Sequence, residues 1–344
     1  MELLMQQHPV AFACFPAQRH VEQDSPPGNK SGRLRLIPRH VPQTRFILDL
    51  HRLALEENHP PPYNKRMETG PLGQLLTEQS NPASAGIDKL DTPSMLRVIS
   101  DQDRKVADAV AAEIPQIARA VDAIVAAFHS GGRLFYIGAG TSGRLGVLDA
   151  AECPPTFNVP PDLVQGIIAG GEGALARATE TTEDDPAIGV RDLLARGFTA
   201  QDVLCGIAAS GRTPYVLGAI HEANRMGAVT LGISCTPSSE LTQTAKIAIT
   251  PLSGPEVIAG STRLKAGTAT KLVLNMLTTG AFIRMGYVRN NLMVNVQPKN
   301  TKLRHRAQRI VSAATGVSFD QAGRLLAEAG DNVRAAISHW ENTH

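Results

Sequence analysis

A glycine-rich stretch between a predicted strand and a predicted helix constrains the fold of this chain more than any other feature. The apolar run at residues 133–137 predicts a buried strand, and a helical pattern begins at about Arg144. Glycine, threonine and serine between them let amides and hydroxyls converge on one anion, which the positive N-terminus of a helix also attracts. We therefore predict a phosphate-binding loop that contains Gly138, Gly140, Thr141, Ser142 and Gly143.

The same residues, with Gly138, Gly140 and Gly143, match Gly-x-Gly-x-x-Gly, the fingerprint of dinucleotide-binding proteins. A dinucleotide site also needs an acidic residue at the end of the second strand, where it holds the ribose hydroxyls. The next apolar run, residues 163–169, ends in Gly170 and Gly171, and Glu172 lies beyond them at a predicted helix start. The phosphate loop is therefore the favoured interpretation, with a dinucleotide site and a purely structural turn as alternatives.

A second loop of similar composition follows another predicted strand, residues 203–208. Its candidate anion-binding residues, which precede a helix-initiating proline, are Ser210, Gly211, Arg212 and Thr213. Strands and helices alternate along this part of the chain, which predicts an α/β fold with a doubly wound parallel sheet flanked by helices. Because parallel strands end at one edge of the sheet, both loops are expected to form one ligand site. A pair of ordinary tight turns is the alternative.

Three segments of the chain differ in composition. Residues 1–66 are rich in proline and poor in periodic apolar patterns, so we expect a disordered N-terminal extension. A basic tail that binds nucleic acid is the alternative for this segment. Residues 67–300 hold the predicted α/β domain. Residues 301–344 predict a small module of three short helices, similar to ubiquitin-associated domains, in which Ser318 and Gln321 form a capping box.

The overall composition argues against several functional classes. The net charge is +2, with 34 basic and 32 acidic residues, so no field favours nucleic acid or membrane partners. The four cysteines lie far apart, without Cys-x-x-Cys spacing or clustered histidines, and neither a metal site nor disulfides are expected. No apolar run is long enough to span a bilayer. We expect a cytoplasmic protein.

Several separated blocks of the sequence resemble those of one family. They lie at residues 138–144, 152–155 (Glu-Cys-Pro-Pro), 168–172, 183–184, 206–215, 232–235, 265–269 and 271–277. Together they resemble the family of N-acetylmuramic acid 6-phosphate etherases. The resemblance extends from about Gly73 to the C-terminus and is far more specific than one glycine motif. Residues 1–66 lie outside it.

The resemblance implies a sugar-isomerase-type (SIS) phosphosugar-binding domain that forms homodimers. It also implies that the D-lactyl ether of N-acetylmuramic acid 6-phosphate is cleaved with water, giving N-acetylglucosamine 6-phosphate and D-lactate, in the recycling of cell-wall amino sugars. The two catalytic acids of the family fall on Glu152 and Glu183. Arg263 and Lys265, in a polar loop expected to end at residue 268, are further candidates for contact with phosphate, or else solvated surface charges.

Such a cleavage needs no cofactor and no metal. Opening of the sugar ring exposes an aldehyde at C1 that acidifies the C2 proton, so a carboxylate base can drive elimination of lactate before water adds to the double bond. Two glutamates in different environments can supply the acid and the base. Two alternatives use the same domain, namely a phosphosugar-binding regulatory protein similar to glucokinase regulatory protein and a phosphosugar isomerase.

Overall fold

The computed structural model of the protein describes residues 75–177, 182–296, 298 and 301–343. Five strands form one parallel sheet, namely β1 (Leu134–Gly138), β2 (Val164–Ile168), β3 (Val203–Ile207), β4 (Val229–Ile233) and β5 (Ile247–Ile249). Their order in the sheet is β2-β1-β3-β4-β5. The predicted parallel sheet is therefore confirmed. The extension predicted to be disordered, residues 1–66, lies outside the described residues.

Helices precede the sheet, connect its strands and follow it. Those before the sheet are α1 (Thr92–Asp103), α2 (Lys105–Ala111) and α3 (Ile114–His129). Those between strands are α4 (Gly140–Phe157), α5 (Gly173–Ala176), α6 (Pro186–Ala195), α7 (Pro214–Arg225) and α8 (Glu240–Thr244). The long helix α9 (Lys265–Arg284) follows β5. Helices thus separate all successive strands of the sheet, as a doubly wound fold requires.

Both faces of the sheet are covered by helices. Alternate residues of a strand point to opposite faces, and on one face Tyr136 and Cys205 pack with residues of α3, α4 and α9. On the other face Phe135 and Leu204 pack with residues of α6 and α7. A parallel sheet buried on both sides explains why its strands read as continuous apolar runs in the sequence.

The strand order reverses its direction between β1 and β3. These two strands are paired in parallel, and Gly138 at the end of β1 lies opposite Ile207 at the end of β3. The two loops predicted to bind anions follow these residues directly. They therefore lie side by side at the carboxyl edge of the sheet, at the position where open α/β folds bind ligands.

A segment before α1, which we call the arm (residues 75–85), is hydrogen-bonded to the closing loop (residues 250–264) that precedes α9. Three bonds cross between them, from Asn81 to the Pro255 carbonyl, from Ser84 to the Val257 carbonyl and from Gly260 to the Thr77 carbonyl, at 2.9, 2.7 and 2.9 Å. Segments distant in sequence therefore form one continuous wall beside the two loops that are predicted to bind anions.

Some element bounds differ from those expected from the sequence. Helix α4 begins at Gly140 rather than at about Arg144, and α9 begins at Lys265 rather than at residue 269. The helix predicted to start at about Glu172 is the short α5, which ends at Ala176, and Glu183 lies in a turn. Tertiary packing thus extends two helices into residues whose composition is typical of loops.

The C-terminal module contains α10 (Thr301–Thr315), α11 (Phe319–Glu328) and α12 (Val333–Thr343). These helices share an apolar core, to which Val311, Leu326 and Ile337 belong and which Val294 and Val296, before the module, complete. At the start of α11 the Ser318 hydroxyl accepts a hydrogen bond from the Gln321 amide at 3.3 Å, so Ser318 is the N-cap that the sequence predicts. The predicted three-helix module is confirmed.

Candidate active site

A cleft of about 280 Å³ opens between the loops that follow β1 and β3. The arm, the turn before α6, the closing loop and the first turns of α9 complete its walls. The lining residues are Glu78, Ala139, Gly140, Thr141, Ser142, Glu183, Ile207, Ala208, Ala209, Ser210, Thr213, Gly260, Thr262, Ala266, Gly267 and Thr270. Six of the predicted site residues meet here, namely Gly140, Thr141, Ser142, Glu183, Ser210 and Thr213.

The loop after β1 brings the N-terminus of α4 to the cleft. Its N-cap residue, Ala139, has no side chain that can accept a hydrogen bond from the amides of the first turn. Gly140 adopts a φ of 52°, in the left-handed region. The amides of this turn and the hydroxyls of Thr141 and Ser142 therefore form a surface of hydrogen-bond donors. An anion is the ligand that such a surface favours.

Two glycines allow α4 to begin so close to β1. A Cβ atom on Gly143 would lie 2.5 Å from the Gly138 carbonyl oxygen, and a Cβ atom on Gly138 would lie 2.7 Å from the Gly143 nitrogen. Both distances are too short for any side chain, so a substitution at either position would displace the helix from the strand. The glycines of the sequence motif therefore set the position of the donor surface.

The loop after β3 is fixed against the loop that follows β4. Gly211 has a φ of 67°, and a Cβ atom there would lie 2.1 Å from the Ser239 hydroxyl oxygen. The Gly211 carbonyl accepts a hydrogen bond from the Leu241 amide at 2.9 Å. The Arg212 amide donates to the Ser210 hydroxyl at 3.3 Å. Backbone contacts therefore determine where the side chains of Ser210 and Arg212 begin.

The start of α9 also reaches the cleft, but its first amides are already bound within the protein. The Glu256 carboxylate accepts hydrogen bonds from the Lys265 amide at 3.0 Å and from the Ala266 amide at 2.9 Å. Glu256 is only 1% exposed, so this cap lies in the interior. The positive end of α9 is therefore neutralised by a carboxylate of the closing loop.

The predicted ligand Lys265 does not line the cleft, because α9 begins earlier than expected and carries this side chain into the interior. Its ammonium donates to the Ser253 carbonyl at 2.7 Å and to the Gln102 side-chain oxygen at 3.5 Å. Burial lowers the pKa of Lys265, and the nearby Glu256 opposes this shift. Arg263 is exposed and also lies outside the lining. In this structure Lys265 holds the closing loop.

Two carboxylates line the cleft. Glu183 is partly buried, and its backbone carbonyl accepts a hydrogen bond from the Tyr215 amide at 3.0 Å, which fixes the turn before α6 against α7. Glu78 is exposed on the arm, and the Thr77 hydroxyl donates to its carboxylate at 3.5 Å. Glu78 was not predicted from the sequence, because no local pattern indicates it and only the bonds between the arm and the closing loop place it here.

Glu152, the other predicted catalytic acid, lies away from the cleft of its own chain. It is exposed on α4, and a rise of 1.5 Å per residue places it about 18 Å along the helix axis from Gly140. It is not among the residues that line the cleft. Within one chain the structure therefore does not bring Glu152 and Glu183 together.

A buried polar cluster supports α4 beneath the cleft. The Asp149 carboxylate accepts hydrogen bonds from the Tyr136 hydroxyl at 3.0 Å and from the Asn275 side-chain amide at 2.7 Å. Burial raises the pKa of Asp149. The pKa of Tyr136 is also raised, mainly by burial and secondly by the negative charge of Asp149. The cluster joins α4 to β1 and α9. The helix that presents its amides to the cleft is therefore anchored on two sides.

A second cavity, of about 530 Å³, adjoins the cleft and shares Ser210 with it. The arm and the loops after β3 and β4 form its walls. Its lining residues are Leu75, Leu76, Gln79, Ser210, Arg212, Thr236, Pro237, Ser238, Ser239, Glu240 and Gln243. The predicted site residue Arg212 therefore lines this second cavity and not the cleft.

The two cavities differ in charge. Among the described residues, the cleft is lined by Glu78 and Glu183 and by no basic side chain, whereas the second cavity is lined by Arg212 and Glu240. In the same described ranges, no cluster of three or more His, Cys, Asp or Glu residues is arranged to hold a metal ion. None of the described helices combines the length and the apolar character that a bilayer crossing requires.

Comparison with known proteins finds one family model and many curated relatives. The model described as the glucokinase regulatory protein N-terminal SIS domain matches residues 116–224. The N-acetylmuramic acid 6-phosphate etherase of Pectobacterium atrosepticum is 54% identical over 266 residues, which cover 77% of this chain and 88% of that relative. The protein of the same name from Photorhabdus laumondii is 56% identical over 266 residues, with the same coverage of 77% and 88%.

Solved structures with a related shape are also found. A phosphoheptose isomerase from Francisella tularensis aligns with a TM-score of 0.42 and 18% sequence identity, over 55% of this chain and 100% of that chain.

Proposed function

The chain belongs to the family of N-acetylmuramic acid 6-phosphate etherases, and from this premise we propose that the cleft between the loops after β1 and β3 is its active site. There the D-lactyl ether of N-acetylmuramic acid 6-phosphate reacts with water to give N-acetylglucosamine 6-phosphate and D-lactate, in the recycling of cell-wall amino sugars. The observation that supports this site is that the open N-terminus of α4 and the Glu183 carboxylate line the same cleft.

The substrate phosphate binds to the two loops at the edge of the sheet. The donors are the amides at the start of α4, from Gly140 onward, and the hydroxyl groups of Thr141, Ser142, Ser210 and Thr213. Gly211 does not line the cleft, and its amide donates to the Ala208 carbonyl at 2.9 Å. Each hydrogen bond to a charged phosphate oxygen contributes about 1.5–3 kcal/mol. Because no basic side chain occurs in the described lining of the cleft, amides, hydroxyls and the helix dipole provide this attraction.

The reaction is an elimination followed by addition of water. Ring opening exposes the C1 aldehyde, a carboxylate removes the C2 proton, and the C3–oxygen bond breaks as the departing lactate oxygen takes up a proton. Water then adds at C3 of the double bond. Glu183 and Glu152 are the proposed acid–base pair, with the C2 base to be identified by experiment. These steps draw on carboxylates alone.

Glu152 takes part through a second copy of the chain. Its exposure and its distance of about 18 Å from the start of α4 support a homodimer in which Glu152 of one copy reaches the cleft of the other. Mixing Glu152→Gln and Glu183→Gln proteins tests this arrangement. Random exchange of subunits restores about a quarter of the parental activity, since half of the dimers are mixed and each has one intact site. If activity does not recover after subunit exchange, the active site is not shared between two copies.

Incubation with N-acetylmuramic acid 6-phosphate tests the proposed activity. We expect D-lactate and N-acetylglucosamine 6-phosphate, detected by mass spectrometry. In D₂O the product gains deuterium at C2, and in ¹⁸O-water it gains ¹⁸O at C3. A product that keeps its original C2 hydrogen and takes no solvent oxygen excludes elimination. Cell fractionation tests the predicted cytoplasmic location.

A regulatory protein is the second candidate function. The model that matches residues 116–224 describes a domain of glucokinase regulatory protein, and this observation supports it. A regulator binds its phosphosugar without chemical change. Tight binding of N-acetylmuramic acid 6-phosphate with no release of lactate favours this function over the etherase.

A further inference from the structure

The proposed substrate carries two anionic groups, whereas the described lining of the cleft contains no basic side chain. The phosphate on C6 fits the open N-terminus of α4. The second anion is the carboxylate of the lactyl group, which is attached to C3 through the ether oxygen. The described lining of the cleft adds the carboxylates of Glu78 and Glu183 but no cation. A second anion placed among these groups would meet like charges, which is unfavourable at short distance. The lactyl carboxylate therefore needs a different binding place.

The adjoining cavity provides a cation beside the cleft. Its single basic lining residue among those described is Arg212, two positions after Ser210, which lines both cavities. The Arg212 side chain is exposed, and its guanidinium makes no hydrogen bond or ion pair with any described residue. Glu240 is the other charged residue of this lining, and it is not paired with Arg212. The guanidinium is thus available to a ligand.

The backbone that carries Arg212 is held rigidly. Gly211 accepts a hydrogen bond from the Leu241 amide and packs so closely on Ser239 that no side chain fits at position 211. The Arg212 amide donates to the Ser210 hydroxyl, so both residues belong to one fixed turn. A fixed turn orders the start of the arginine side chain before the ligand arrives, which lowers the entropic cost of binding.

We propose that Arg212 binds the lactyl carboxylate of the substrate and thereby selects lactyl ethers among phosphosugars. This inference rests on the proposed etherase function. The planar guanidinium forms paired hydrogen bonds with a carboxylate, a geometry that a lysine ammonium does not reproduce. Ser210 then separates the two anion sites, with phosphate on the side of α4 and carboxylate on the side of the loop after β4. Phosphosugars without a lactyl group make no contact with the Arg212 guanidinium, which then remains solvated.

Binding measurements with three ligands test the proposal. A Glu183→Gln background prevents turnover, and calorimetry gives Kd for N-acetylmuramic acid 6-phosphate, for its analogue with a carboxamide in place of the carboxylate, and for N-acetylglucosamine 6-phosphate. Adding Arg212→Gln weakens binding of the first ligand on the order of 10–100-fold, the expected loss of a charge-assisted pair. The other two ligands change less than about twofold. Arg212→Lys falls between.

Arg263→Gln in the same background is the matched control, because Arg263 is exposed and lines neither cavity. It leaves all three Kd values unchanged, and the melting temperatures of all variants report their folding. Equal weakening of all three ligands by Arg212→Gln would mean that Arg212 binds phosphate, and unchanged Kd values would mean that it binds no part of the substrate; either result overturns the proposal. Failure of the etherase function appears separately, as absence of lactate release by the protein with intact Glu183.

Discussion

The helices α4 and α9 both begin at the cleft, yet their N-termini are used in opposite ways. The amides of the first turn of α4 follow Ala139, which cannot cap them, and they face the cleft. The first amides of α9 are bound by the buried Glu256 carboxylate. A helix N-terminus attracts an anion in either case. In α9 that anion is the Glu256 carboxylate, which stabilises the fold, whereas at α4 we propose that the anion is the phosphate of a ligand.

This difference predicts two kinds of sensitivity. Substitutions around the start of α4 are expected to change ligand binding and turnover while the fold remains stable. Substitutions around the start of α9 are expected to change stability first, because they remove partners from buried groups. The following variants test that division.

Glu183→Gln is expected to have the largest effect. The substitution keeps the size and polarity of the side chain but removes its ionisable proton, so lactate release falls by on the order of 10²–10⁴. The steady-state rate of lactate formation measures the loss, and the affinity for N-acetylglucosamine 6-phosphate and the melting temperature serve as controls. Turnover close to that of the parent would exclude Glu183 from the chemistry.

Glu256→Ala tests the protein-facing side of the comparison. It leaves the Lys265 and Ala266 amides without their acceptor and the buried Lys265 ammonium without its nearby carboxylate, so the free energy of unfolding falls by about 3 kcal/mol. Urea titration measures the change. Glu256→Gln keeps an acceptor oxygen but removes the charge, so we expect a smaller fall in the free energy of unfolding. If both variants match the parent, the cap does not stabilise α9.

Ala139→Asp makes α4 resemble α9. An aspartate at the N-cap binds amides of the first turn and adds negative charge where the phosphate is proposed to bind, so KM rises by about tenfold or more. The same change stabilises the helix by about 1 kcal/mol. Ala139→Asn is the matched control, which caps without charge and raises KM less. An unchanged KM in the aspartate variant would place the phosphate elsewhere.

Asp149→Asn is expected to have the smallest effect, on the pH dependence of stability. Burial raises the pKa of Asp149 in the folded protein, so the folded state binds this proton more tightly than the unfolded state does. Its contribution to stability is therefore present below the usual aspartate pKa and is lost as pH rises through the higher folded value. The stability difference between parent and variant should therefore change as pH rises above the usual aspartate pKa of about 3.9. A difference that stays constant as pH rises contradicts the prediction.

The sheet and its two loops were predictable because their signals are local. Apolar runs of five residues, glycines after two of them and a proline at the next helix start require no knowledge of distant contacts. The start of α4 was placed too late because Gly140 and Gly143 are typical of turns, while close packing of Gly143 on Gly138 is what draws them into the helix. Such packing becomes visible only in three dimensions.

The charged residues were harder to predict because their roles depend on distant partners. Lys265 follows a polar loop and is typical of a ligand-binding residue, but its position is set by Ser253 and Glu256. Glu78 reaches the cleft through bonds of the arm to the closing loop. No short sequence pattern indicates which lysine a distant segment will bury, or which glutamate a distant segment will hold at the cleft.

The wall formed by the arm and the closing loop also bears on how the protein is made. Asn81 and Pro255 are hydrogen-bonded although 174 positions separate them in the chain. During synthesis, the arm leaves the ribosome long before its partner exists, and the cleft stays incomplete until the closing loop and the start of α9 have emerged. A phosphosugar that needs this wall can stabilise only the nearly finished domain, so its presence in the cell would favour the last folding step rather than the first.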